Sequence, residues 1–118
     1  MSKRQTQEQK RAKQAWKNVH DEVAGKDFAK EYKGLVSSAP TDVQTNGLGQ
    51  TVAFWRSKGE LQHKTLYRHL SDWVMREMGE GDDLMHWITQ TDSRRYRQAT
   101  VEALAFLGWL KRFAQAEL

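Results

Sequence analysis

EYKGLVSSAPTDVQTNGLGQTVAFWRSKG, residues 31–59, holds the only proline of the chain and two glycines set into an otherwise helical pattern. Phe28, Tyr32, Leu35, Val36 and Ala39 fall at i, i+4, i+7, i+8 and i+11, one face of a helix, with Lys30, Lys33 and Gly34 off it. Pro40 disfavours helical geometry in the residue before it and has no N–H to donate. The expected helix therefore ends near Ala39, and Pro40 marks a break or the first residue of the next helix, with Thr41 and Gln44 as a capping box. Val43, Leu48, Val52 and Trp55 carry the stripe onward, while Gly47 and Gly49 interrupt it at roughly 1 kcal/mol each. Close packing of a neighbour against the bare backbone is the expected compensation. The alternative, a loop whose backbone N–H groups face a phosphate, lacks both the spacing of a dinucleotide fingerprint and the Gly-Lys-Ser/Thr of a P-loop.

Working outward, the same helical period persists. A first helix is expected from about Gln7 to Val23, with Ala12, Ala15, Trp16, Val19 and Val23 inward and Lys10, Lys13, Lys17 and His20 aligned beside them. Lys3 and Arg4 add a basic cluster ahead of it, and Glu8, Asp21 and Glu22 dilute the patch. Asp27 reads as the N-cap of the second helix, and Gly59 closes the third. A fourth helix, about Leu61 to Met78, buries Leu66, Leu70, Trp73, Val74 and Met78. His63 and His69 stand six residues apart and splay, which argues against a shared metal and for surface or hydrogen-bonded roles. GEGDD, residues 79–83, reads as a solvated acidic turn that caps a short helix through Met85, Trp87 and Ile88.

Asp92 can cap the last helix at Arg95 or its neighbour. Tyr96, Ala99, Ala103, Phe106, Leu107, Leu110, Phe113 and Ala114 make its buried stripe, with Leu104, Gly108 and Trp109 turned away. A segment so apolar all round is expected at the centre of a bundle.

Composition agrees with this picture. The 118 residues are 29% charged, with no cysteine, one proline, and five Trp, four Phe and three Tyr to fill a core. The expected fold is all-α, a single-domain compact helical bundle of about six helices spanning residues 1–118. Without cysteine there is neither disulfide nor thiolate chemistry, as in a reducing compartment. The polar start does not read as a secretory signal, and the longest apolar run falls well short of the ~20 residues of a bilayer span, so a cytoplasmic protein without membrane contact is expected. A net charge of +4 permits a polyanion partner without requiring one. No paired carboxylates in a shaped cleft, nucleophile or metal cluster is legible, and neither an enzyme nor a cofactor is expected.

Three blocks carry a resemblance: residues 31–59 quoted above, YRHLSDWVM at Tyr67 to Met75, and RYRQATVEALAFLGWLKRFAQA at Arg95 to Ala116, together about half the chain. In that order they resemble the signature of the small subunit of the type III-B CRISPR (Cmr) RNA-targeting effector complex. The resemblance implies an all-helical, non-catalytic protein of antiviral defence. It implies stacking of several copies beside the backbone and large subunits, and contact with guide RNA and target RNA through basic surface residues. Lys10, Lys13, Lys17, Arg56, Lys58, Arg68, Arg94, Arg97, Lys111 and Arg112 are the candidate RNA-binding residues, and Trp16, Trp73 and Phe106 are expected to be scaffold. A stand-alone helical DNA-binding regulator is the alternative, with Thr41, Gln44 and Asn46 as base readers at a helix N-terminus. A small metal-dependent nuclease is a third reading, ranked last.

Overall fold

The computed structural model describes residues 4–118, so Lys3 lies outside the described residues. Six helices account for the secondary structure there: α1 (Gln7–Glu22), α2 (Ala29–Asn46), α3 (Leu48–Lys58), α4 (Leu61–Met78), α5 (Leu84–Ile88) and α6 (Ser93–Glu117). The all-α expectation holds. Most of the starts and stops follow from local chemistry. Thr6 and Gln9 exchange reciprocal hydrogen bonds of 2.8 and 3.0 Å to open α1. Asp83 and Asp92 cap α5 and α6 by accepting from the backbone N–H groups of His86 and Arg95, at 3.2 and 2.8 Å. Gly59 and Gly79 close α3 and α4 in the left-handed conformation.

The helices share one core, and α6 runs through its centre, packed on α1, α2 and α4. Along α6, Ala99, Ala103, Phe106, Leu107, Leu110 and Ala114 are completely buried. Phe106 stacks on Trp73 with centroids 5.0 Å apart, so these two aromatics are scaffold as expected. Leu104 and Trp109 are half-buried against the core, and Gly108 is exposed.

Four expectations are corrected. First, α2 does not stop at Ala39: it runs through Pro40 to Asn46. The stripe Tyr32, Val36, Ala39 and Val43 keeps helical register across the proline and is buried along its whole length. Breaking the helix would expose Val43, and burying such side chains contributes about 1.5–3 kcal/mol each. Together they offset the roughly 3 kcal/mol a proline costs inside a helix. Thr41 and Gln44 therefore lie inside α2 rather than in a cap. Second, the N-cap of α2 is Phe28, without a side-chain cap bond, and not Asp27.

Third, the glycines at the α2–α3 junction answer to conformation more than to close packing. Gly47 has φ 88° and ψ 155°, a region essentially restricted to glycine, and turns the chain directly from α2 into α3. A Cβ at Gly49 would meet Tyr96 Oη at 3.4 Å and Ile88 Cγ2 at 3.6 Å, the near side of ordinary contact. The Gly49 N–H donates to Tyr96 Oη, so this turn offers that donor to the protein and not to a phosphate. Fourth, Trp16 is not in the core. It is 39% exposed, on the rim between α1 and α6.

Candidate nucleic-acid interface

The basic row on α1 comes from helical spacing alone. Lys10, Lys13 and Lys17 recur once per turn opposite the buried Ala15 and Val19, and all three are exposed. They line a groove of about 390 Å³ with Gln5, Gln14, Trp73, Arg76 and Glu77, where α1 meets α4. Arg4 joins Lys10 and Lys13 around an adjoining hollow. Arg76 is the residue that sequence reasoning missed. Its position three residues after Trp73 placed it beside the core stripe of α4, the one signal that could have found it. Its guanidinium lies 5.7 Å from the Trp73 ring centroid.

The other cation on this part of α1 faces inward. Arg11 grips Glu102 with two bonds of 2.6 and 2.9 Å, and Glu102 also accepts from Trp73 Nε1 at 2.9 Å. Burial opposes ionisation of Glu102, but the bonds from Arg11 and Trp73 outweigh it and hold the carboxyl below its usual range. Its negative charge is thus matched within the fold. Glu77, on the groove wall, accepts from the Gln7 side chain.

The remaining candidates separate into three groups. Arg56 and Arg68 are engaged internally: Arg56 lies 3.3 Å from Asp83 and over the Tyr67 ring, and Arg68 donates to Glu22 at 2.8 Å. Lys58 is exposed and sits 5.5 Å from the Phe54 ring centroid. Arg94 and Arg97 begin α6 while Lys111 and Arg112 stand near its other end, about 27 Å from Arg94 to Arg112 along the axis. Among the described residues, Lys10, Lys13, Lys17, Lys58, Arg94, Arg97, Lys111 and Arg112 make no ion pair. The structure brings the three α1 lysines together with Arg76, and it does not gather all ten candidates on one surface.

A second polar cluster lies where α1, α2 and α4 meet, with its tyrosine and histidine buried and its glutamate partly exposed. His69 is not a surface histidine: its side chain is fully buried, with Nδ1 2.8 Å from Tyr32 Oη and Nε2 3.0 Å from Glu22 Oε1. A neutral ring satisfies both contacts, accepting from the tyrosine and donating to the carboxylate. Burial lowers the His69 pKa to about 4, against the pull of Glu22, and burial raises that of Tyr32. With Tyr32 and His69 both closed to solvent, this Tyr–His–Glu chain ties three helices together and has no face for a substrate. His63 is also buried, apart from His69, and no group of three metal-ligating side chains gathers among the described residues. The acidic loop after α4 is tied back by Arg95, which contacts Glu80 at 3.2 Å and the Met78 carbonyl at 2.6 Å. No helix of the described residues is long and apolar enough to cross a membrane.

Comparison with known proteins adds three findings. The model of a family described as CRISPR-associated protein (Cas_Cmr5) matches residues 7–117. A curated relative, the CRISPR system Cmr subunit Cmr5 of Thermus thermophilus, is 31% identical over 115 residues, 94% of this chain and 95% of its own length. The crystal structure of a CRISPR-associated Cmr5 family protein from Thermus thermophilus superposes with a TM-score of 0.84 at 29% identity, covering 98% of this chain and 99% of that one.

Proposed function

Because the chain belongs to the CRISPR-associated Cas_Cmr5 family, the small subunit of the type III-B Cmr system, we propose that it serves as a non-catalytic subunit of that effector and holds guide or target RNA by its phosphates. Its neighbours in this reading are the backbone and large subunits and further copies of itself, in the cytoplasm, with no cofactor. The observation that carries the RNA contact is the groove in which Lys10, Lys13, Lys17 and Arg76 converge without an ion pair among the described residues. Each phosphate neutralised there adds affinity that depends on salt and not on sequence. A groove of four cations is weak alone, and an array of copies along one RNA multiplies its effect.

The reading as a DNA-binding regulator loses its support, because Thr41 and Gln44 lie inside α2 and only Asn46, at the end of α2, stands next to the start of α3, so the three do not line one helix N-terminus. The test is a pull-down of the tagged chain from its native cell, with mass spectrometry and RNA sequencing of the eluate. Cmr subunits and CRISPR-derived guides are the expected recovery. In the Lys10→Glu, Lys13→Glu, Lys17→Glu variant the fold should persist while RNA retention drops. Recovery of neither subunits nor guides, from cells that express the complex, would refute the assembly.

A further inference from the structure

The exposed Trp16 makes two aromatic contacts, one on its own helix and one on α6. Its indole stacks on the His20 imidazole with centroids 4.9 Å apart and planes within 10°. Phe113 of α6 meets it edge-on at 5.4 Å, and Trp109 lies 5.5 Å from Phe113. Trp16 remains 39% exposed and the His20 side chain 53% exposed. A rim aromatic that only completed the core would be covered by its neighbours. Here Trp16 and His20 cover a face of each other and each keeps part of its ring in solvent, so a flat ligand can extend the existing stack rather than having to build one.

The charges around this pair select the ligand. Lys13 precedes Trp16 by one turn and Lys17 follows it directly, continuing the row from Lys10. On α6, Lys111 and Arg112 adjoin Phe113. The acidic residue against the shelf, Glu117, lies 3.8 Å from His20, and Asp21 follows His20 on the exposed side of α1. The lysines recur about every 5.4 Å along α1, so an extended strand can set its phosphates on that row and turn a base toward the indole. Aromatic rings interleaved with unpaired cations are the pattern of single-strand recognition.

We propose that Trp16 and His20 form a stacking shelf for an unpaired base of single-stranded RNA whose phosphates lie on Lys10, Lys13 and Lys17. This rests on the RNA reading above and adds that the contact senses bases as well as charge.

The test compares binding of the full chain to a labelled twelve-nucleotide oligouridylate and to an abasic oligomer with the same number of phosphates, by fluorescence anisotropy across a salt series. The wild type should prefer the oligouridylate by about 5- to 150-fold, the worth of one stacked base. Trp16→Leu should erase that preference and leave the salt slope unchanged, and Trp16→Phe should keep most of it. Lys13→Glu with Lys17→Glu should reduce the slope by about 1.4 for both probes. Circular dichroism melts establish that each variant is folded, and His20→Ala supplies a second route to weakening the shelf if Trp16→Leu is not. An undiminished preference in the folded variants overturns the shelf while the lysine effect keeps the phosphate contact. Loss of self-association in Trp16→Leu with the preference intact overturns it in favour of an interface between copies. Salt-insensitive binding of both probes defeats the RNA reading itself.

Discussion

The backbone N–H of Gly49 donates to the hydroxyl of Tyr96 at 2.9 Å, linking the first turn of α3 to α6 across the core. That N–H is one of the donors a helix start leaves without an intrahelical partner, and the tyrosine supplies what a serine or aspartate cap would otherwise provide. Tyr96→Phe should therefore cost about 1 kcal/mol, the net worth of a hydrogen bond to a part-buried donor. Gly47→Ala should also cost about 1–3 kcal/mol, because its backbone lies where only glycine is at ease. Gly49→Ala, by contrast, should change stability by less than about 1 kcal/mol, its helical gain opposed by contact with Tyr96 and Ile88. Urea unfolding of the three variants checks this ordering.

The buried His69 sets a pH dependence of known sign. Burial lowers its pKa from 6.5 to about 4, so between those values the unfolded chain binds a proton that the folded chain refuses. The contribution is complete above about pH 6.5 and is lost as pH falls toward 4, on the order of 3 kcal/mol in all. Glu22 is shifted downward and loses its own contribution only at lower pH, below the ordinary carboxylate range. Urea midpoints at pH 7.5, 6 and 5 should fall steadily in the wild type, and His69→Gln should flatten that fall. An unchanged dependence in the variant would assign it to another group.

Where the determinants were local, the sequence announced them: the glycine stop at Gly59 and the aspartate cap at Asp92 need only a few residues of context. Pro40 misled because a local rule was outweighed by burial of Val43 one turn further on. Trp16 misled because it sits at the edge of the α1 stripe, and its exposure depends on where Phe113 stands on another helix. The lysine row was legible from spacing alone. Which cations are engaged was not, since Arg56 and Arg68 find their carboxylates 27 and 46 residues away in sequence.

Glu102 collects bonds from Arg11 and Trp73 and so connects α1, α4 and α6. Glu102→Gln should cost about 2–3 kcal/mol, since it leaves a guanidinium that is largely withdrawn from water without its charged partner. Replacing both members, Arg11→Met with Glu102→Leu, should recover much of the loss, because no unpaired charge then remains. A double-mutant cycle on thermal or urea unfolding measures the coupling directly. A coupling near zero would show the pair to be dispensable for the fold.

Arg76 and Arg68 lie two turns apart on α4 and are both exposed, yet they should behave oppositely. Arg68 is bound to Glu22, which also holds His69, so its removal should lower stability by up to about 1 kcal/mol, as for an exposed pair. It should leave the salt dependence of RNA binding unchanged. Arg76 faces the groove with Lys10, Lys13 and Lys17 and makes no ion pair among the described residues. Arg76→Ala should reduce the slope of log affinity against log salt by about 0.7, the share of one phosphate on a single strand, with only a small change in melting temperature. Salt titrations of both variants against one RNA decide the matter. Equal slopes for Arg76→Ala and wild type would remove α4 from the RNA face and confine the contact to α1.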